Sequence, residues 1–250
     1  MNEYSKERRL IHLNDSFHFQ CGPGASCFTQ CCRDVTIFLT PYDVIRMKNR
    51  VGISSGEFLE QYTTTLKITD KPLPLVVLKM GEDRDKLCPF VTPEGCRIYT
   101  DRPWPCRMYP LDQSGPVTFR VIGEPSSCKG LEASSPIQVS DYLVDQGVLI
   151  YREMETLFEE ITGHSGMRNI QATHEQVEQM LFMALYDLDA FRSFVFQSRF
   201  LQTYQVDVHI VENIRRSDVE LMKFAFQWVR HGLFGDPFYP LQSPDPPPSS

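Results

Sequence analysis

The chain has 250 residues, enough for one large domain or two small ones at roughly 100–200 residues each. An apolar fraction of 42%, with 17 Phe and 10 Tyr, supplies a core and excludes disorder over the whole length. A net charge of −7 argues against nucleic acid as the main partner, because a phosphate-binding face needs positive charge.

Met1 to Arg9 is polar and no apolar segment follows it, so no secretory signal is expected. Nowhere do about 18 apolar residues run without a charge, so no membrane span is expected either. The expectation is a cytoplasmic protein, in a compartment where thiols remain thiols.

In chain order, Phe17-His18-Phe19-Gln20-Cys21 alternates apolar and polar side chains as a half-buried strand does. Val35 to Leu39 is β-branched and apolar, a second strand candidate. Thr40-Pro41 then supplies a cap and first turn for a helix over about 41–50, with Gly52 at its exit. Ser54 and Glu57 form a capping box for a helix through about Tyr62. Leu75–Leu78 and Val117–Ile122 are further strand candidates, and Pro103, Pro105 and Pro110 keep the intervening stretch from forming a long regular element.

The second half changes character. Leu143, Gly147, Ile150, Met154, Leu157 and Ile161 recur at helical spacing after Ser140 as a cap. Val177 to Leu188 does so after Thr173, and Val219 to Val229 after Ser217. The aromatic-rich stretch Asp189–Tyr204 is also read as helix. The predicted fold is therefore mostly α with a few short strands. An irregular cysteine-rich metal-binding module (1–135) is followed by a helical subdomain (136–236) and a Pro-rich disordered tail (237–250).

All eight cysteines lie in the first half, and they form a constellation: Cys21, Cys27, Cys31 and Cys32, spaced C-x5-C-x3-C-C, then Cys88, Cys96, Cys106 and Cys128. Thiolate is a soft ligand suited to zinc, iron–sulfur clusters and Cu(I). Four thiolates complete a tetrahedral zinc site or supply one ligand per iron of a 4Fe-4S cubane. Eight build two such sites, or one with spare thiols. The adjacent Cys31 and Cys32 would point to opposite faces of an extended backbone, so both reach one ion only across a sharp turn, or else face two separate centres. Gly22, Pro23 and Gly24 supply turn chemistry. Arg97 and Arg107, each directly after a cysteine, could hydrogen-bond sulfur or simply lie at the surface. Tyr99, Trp104 and Tyr109 are read as packing around the site, and Asp34 and Asp43 as ligands, acceptors or, for Asp43, a helix first-turn acid.

The segment from Cys21 through Cys31-Cys32, with Ile37-Phe38-Leu39-Thr40, Asp43 and Arg46, resembles the bacterial YkgJ-type cysteine-cluster family. So does the run Cys88-Pro89-Phe90, Gly95-Cys96-Arg97-Ile98-Tyr99, Arg102-Pro103, Cys106-Arg107 and Tyr109-Pro110. The resemblance covers about residues 17–130 and implies a domain that chelates zinc or iron. That family's first block is usually spaced C-x2-C-x2-C-C, and here it is wider at Cys21 and Cys27. A relative, flagellin lysine N-methylase, carries a similar cysteine set thought to hold an iron–sulfur cluster. It implies an alternative function as an iron–sulfur-dependent protein lysine N-methyltransferase or redox enzyme.

Other readings of the cysteines explain less. Disulfides suit an oxidising compartment, buried free thiols account for one or two of eight, and a nucleophilic cysteine needs a nearby base. His18 lies near Cys21 but is expected at the surface. His12, His164, His174, His209 and His231 lie outside the cysteine segment and are not assigned to metal; His231 meets a helix C-terminus. No P-loop, dinucleotide fingerprint, HExxH or GxSxG occurs. Partners expected are a metal ion and a protein partner or substrate, with neither nucleic acid nor membrane.

Overall fold

The computed structural model describes residues 10–67, 73–170 and 175–241. Thr173, His174 and the end of the Pro-rich tail lie outside the described residues. In the first half, strands β1 (Leu10–His12), β2 (Ser16–His18) and β3 (Phe38–Leu39) precede helices α1 (Pro41–Val51) and α2 (Ser55–Tyr62). There follow β4 (Thr63–Leu66), β5 (Leu75–Leu78), β6 (Val91–Thr92), β7 (Gly95–Cys96), α3 (Trp104–Met108), β8 (Leu111–Gly115), β9 (Thr118–Val121) and β10 (Pro136–Gln138). The remainder is helical: α4 (Val139–Asp145), α5 (Val148–Thr162), α6 (Glu175–Leu185), α7 (Leu188–Gln197), α8 (Phe200–Thr203), α9 (Val208–Arg216) and α10 (Asp218–Phe234). Short 3-10 turns span Gln30–Cys32, Tyr99–Asp101, Lys129–Glu132 and Ser165–Asn169. The architecture is mostly α with short strands, as the residue pattern predicts.

The chain folds as two compact units, Met1–Leu39 with Val77–Met154, and Thr40–Val76 with Glu155–Ser250. They interleave along the sequence: α1 and α2 group with the C-terminal helices, whereas composition alone predicts one division near residue 135. The physical reason is the ion network described below, which ties α1 and α2 to α7 and α10.

The first unit is organised by two small antiparallel pairings. Strands are ordered β1-β9-β8, with Ile11 opposite Phe119, and β10 pairs β2, with Ile137 opposite Phe17. Their inward residues join α3, α4 and the start of α5 in one core: Ile11, Phe17, Met108, Leu111, Phe119, Val139, Tyr142, Leu143 and Val148. Each large apolar side chain removed from water in this way contributes about 1.5–3 kcal/mol. The expected strand 17–21 proves shorter, because after His18 the chain turns away into the cysteine loop. The predicted helix from Ser140 to Ile161 is two helices, and the cap position of the first is Gln138 rather than Ser140. The break falls at Gly147, whose φ of 64° is left-handed and whose missing Cβ would lie 3.1 Å from the Arg107 guanidinium.

In the second unit the predicted Ser54–Glu57 capping box forms, and the predicted Thr40 cap is a capping box as well. Thr40 Oγ1 accepts from Asp43 N at 3.1 Å while the Asp43 carboxylate accepts from Thr40 N at 2.9 Å. Ser54 and Glu57 repeat the pattern. Asp43 is fully buried at this helix start, which accounts for it without any metal. Helix α10, capped by Ser217 as predicted, runs through the unit and buries Leu221, Met222, Phe224, Ala225, Phe226 and Val229. The rings of Phe191, Phe194 and Phe200 pack against its Trp228. Buried Lys48 lies 3.2 Å from Asp189 and 3.1 Å from Asp218, linking α1 to α7 and α10, and Ser55 at the start of α2 donates to Asp187 and Asp189.

Candidate metal centre

All eight cysteines fall in the first unit, although residues 40–76 of the second unit intervene between Cys32 and Cys88. None is paired in a disulfide. Cys21, Cys31 and Cys106 are exposed, Cys128 is buried, and the rest are partly covered.

The β2–β10 pairing explains how the first and last cysteines meet. It places the strand leading into Cys21 against the strand that follows Cys128. The contact continues where Gln20 N donates to Gly130 O at 2.9 Å. A Cβ on Gly130 would fall 2.9 Å from the Phe19 ring and 3.0 Å from Gln20 O, so this crossing needs a residue without one. One residue earlier, Lys129 N donates to Cys27 Sγ at 3.1 Å. The sulfur of the first block is thereby fixed to the backbone directly after Cys128.

A second set of bonds draws Cys32 to Cys88. Cys88 N donates to Cys32 O at 2.9 Å, Arg33 and Leu87 form an antiparallel bridge, and Asp34 N donates to Lys86 O at 3.1 Å. Cys88 then leads into the β6–β7 hairpin, where Val91 stands opposite Cys96 and Arg97 N donates to Phe90 O at 2.9 Å. Phe90 is fully buried beneath this hairpin, with the Arg97 guanidinium 5.2 Å from its ring centre. Cys106 sits on α3, the single short helix that Pro103 and Pro105 permit.

Between the two sets lies the adjacent pair. Cys31 and Cys32 share the 3-10 turn Gln30–Cys32, preceded by left-handed Thr29 (φ 65°) and followed by left-handed Asp34 (φ 46°). At three residues per turn neighbouring side chains diverge by about 120° rather than pointing to opposite faces. The sharp turn that the adjacent cysteines require is present. The two side chains hydrogen-bond each other: Cys32 keeps its proton and donates it, which lowers the Cys31 thiol to about 7 against the effect of burial.

The electrostatics follow the same division. Burial, and then the charges of Cys31, Cys128 and Cys27, push the Cys21 thiol up. The Tyr109 hydroxyl is raised by burial, then by its hydrogen bond with Cys128 and the charges of Cys128, Cys31 and Cys27. Cys32 is raised by its bond to Cys31, by burial, and by the charges of Cys31, Cys106 and Cys88. Cys88 is raised mainly by burial, with Cys96 adding and Arg97 opposing. Cys96 is raised by burial and eased by Arg102 and Arg97. Thiols that raise one another's pKa this way are groups that a cation would relieve, since it favours every thiolate at once.

The candidate ligands are thus sulfur, and hydrogen bonds reach them from the backbone of Gly22, Phe90, Val91, Ile98 and Lys129 and from the Tyr109 hydroxyl. Among the described residues, no three His, Cys, Asp or Glu side chains stand as close together as the ligands of a bound ion. The chemistry of the set nonetheless fits zinc or iron: soft thiolates in turns, with hydrogen bonds already directed at sulfur. Asp34 instead pairs with Lys86 at 2.8 Å, and His18 is exposed with its Nδ1 on Ala133 O.

The arginines divide. Arg97 faces the Cys88 and Cys96 thiols. Arg107 is buried, gives its donors to the carbonyls of Thr100, Arg102 and Gln146, and lies over the Tyr151 ring; it braces the loop and makes no bond to sulfur. Arg102, also buried, covers Tyr99 and reaches Gln146. Tyr109 does more than pack, because its hydroxyl meets Cys128. Only its nearness to Cys106 hinted at this in the sequence, and nothing there pointed to the Lys129 amide.

No curated protein and no solved structure matches the chain. Residues 20–129, the segment carrying all eight cysteines, match the model of the family CxxCxxCC, described as “Putative zinc- or iron-chelating domain”.

Proposed function

We propose that this protein holds zinc or an iron–sulfur centre through Cys21, Cys27, Cys31, Cys32, Cys88, Cys96, Cys106 and Cys128. One observation carries the reading: eight cysteines from stretches far apart in sequence are gathered into one compact unit. The backbone bonds that gather them end at the cysteines themselves, at Cys88 N, Cys32 O and Cys27 Sγ. A stretch rich in turns and poor in regular structure gains stability from a bound ion that a small apolar core does not provide. Among the described residues no helix is long and apolar enough to cross a membrane.

When bound, zinc would cross-link the loops, whereas a cluster would add electron transfer or, with an open iron, substrate binding. The N-methyltransferase or redox alternative rests on the resemblance to flagellin lysine N-methylase. The part of it that the cysteine geometry supports is metal retention. The test is anaerobic purification of the full chain, with zinc, iron and acid-labile sulfide counted per chain after gel filtration. The reading expects at least one metal per chain, colourless with zinc or brown with iron and sulfide. A folded, metal-free protein that takes up neither zinc nor a reconstituted cluster would overturn it.

A further inference from the structure

Cys31 and Cys32 have different neighbours, and this has a consequence for how many centres the protein carries. On one side Lys129 N bonds Cys27 Sγ, and β2–β10 pairing brings Cys21 to the Cys128 turn. The Tyr109 hydroxyl bonds Cys128 in the neighbourhood of Cys27 and Cys31. On the other side Cys88 N bonds Cys32 O, the β6–β7 hairpin carries Cys96 next to Cys88, and Cys106 neighbours Cys32. The hydrogen bond between the Cys31 and Cys32 side chains crosses from one side to the other.

We infer that the protein carries two adjoining metal centres rather than one, the first held by Cys21, Cys27, Cys31 and Cys128 and the second by Cys32, Cys88, Cys96 and Cys106. The inference rests on the metal-binding reading above and deepens it. Four thiolates fill the coordination of a zinc ion or a cubane, so eight thiols in two groups suit two complete sites without a spare ligand. The turn at Gln30–Cys32, which sends neighbouring side chains in different directions, distributes the adjacent pair between them. The two centres also differ in surroundings. The first has the Lys129 amide and Tyr109 hydroxyl at its sulfurs, and the second has the Arg97 and Arg102 guanidinium groups nearby. Hydrogen bonds and charge of these kinds tune a thiolate-bound metal, so the two sites should differ in affinity.

The experiment is a titration of the reduced, metal-stripped full chain with Co(II), whose tetrahedral thiolate complexes absorb in the visible. The wild type is expected to saturate at two equivalents. Cys21→Ser/Cys27→Ser and Cys88→Ser/Cys96→Ser are each expected to saturate at one, a twofold loss, with the remaining spectrum still that of a four-thiolate site. Saturation of the wild type at one equivalent would overturn the two-centre inference while leaving metal binding intact, and would do so even if a variant failed to fold. Loss of all cobalt from either folded variant would also overturn it. No uptake by the folded wild type would instead remove the metal-binding reading itself.

Discussion

Arg107→Ala tests the bracing of the cysteine loop most sharply. Arg107 is 6% exposed and spends its donors on backbone: Nε on Arg102 O at 2.9 Å, Nη1 on Gln146 O at 2.8 Å, and Nη2 on Thr100 O. Its guanidinium lies 4.2 Å from the centre of the Tyr151 ring. Hydrogen bonds to a charged group contribute about 1.5–3 kcal/mol each, and truncation leaves three carbonyls short of a donor. These terms overlap, so the expected loss is about 3–5 kcal/mol, a large part of the roughly 5–15 kcal/mol that holds a domain together. Arg107→Lys keeps the charge but not the planar fork that spans three acceptors, and should lose about half as much.

The assay is urea unfolding in a Trp228→Phe background, where the remaining tryptophan, Trp104, reports the cysteine-bearing unit alone. At a slope of about 2 kcal/mol per molar urea, the alanine variant should unfold about 1.5–2.5 M earlier. A shift below about 0.5 M, or a lysine variant equal to the wild type, would refute the bracing argument.

Three other outcomes follow from the same structure. Phe90→Ala, which empties a fully buried site under the β6–β7 hairpin, should cost about 3–5 kcal/mol and weaken retention of metal by Cys88 and Cys96; thermal melts and metal counts check it. Burial alone would raise the Asp218 carboxyl, but Asn49, Lys48 and Arg192 together hold it below the usual carboxylate range. Its folded pKa lies below the unfolded one, so its contribution is present above about pH 4 and is lost as pH falls through the depressed value. Asp218→Asn should therefore flatten the acid limb of the stability profile, and an unchanged limb would count against the Lys48 network. Glu155 moves the other way: burial first, then the charges of Asp43 and Glu159, raise it to about 7, and its Oε2 is buried without a hydrogen-bond partner among the described residues. Stability is then lost as pH rises from about 4.3 through 7, so Glu155→Gln should gain about 1–2 kcal/mol over wild type at pH 8 and little at pH 4. Equal urea midpoints at pH 8 would contradict that assignment.

What the sequence makes legible is local chemistry. Thr40-Pro41, Ser54 with Glu57, and Ser217 each mark a helix start through side chains that reach backbone amides within one turn, and all three caps form. The alternation at Ser16-Phe17-His18 likewise turns Phe17 into the core. Gly147 is harder to read. It sits at a helical period position, yet its left-handed backbone and the nearby Arg107 guanidinium split the helix, and that guanidinium comes from forty residues away. The short strands β1 and β10 carry too few residues for a period to show and exist because β9 and β2 pair with them.

The site divides the same way. Cysteine type and clustering point to the ligand chemistry, since soft donors in turns have few other uses in number. The grouping does not follow from spacing, because it depends on which backbone meets which: Lys129 N on Cys27 and Cys88 N on Cys32 join positions about a hundred and more than fifty residues apart. Asp43, an acid near a cysteine block, takes the helix first-turn place, one of its readings from sequence, and caps α1 in the other unit.

X-ray absorption at the metal edge of the anaerobically purified protein addresses the central claim most directly. The account predicts a shell made of sulfur, four neighbours per metal at about 2.3 Å if the metal is zinc. A shell dominated by nitrogen or oxygen would contradict it.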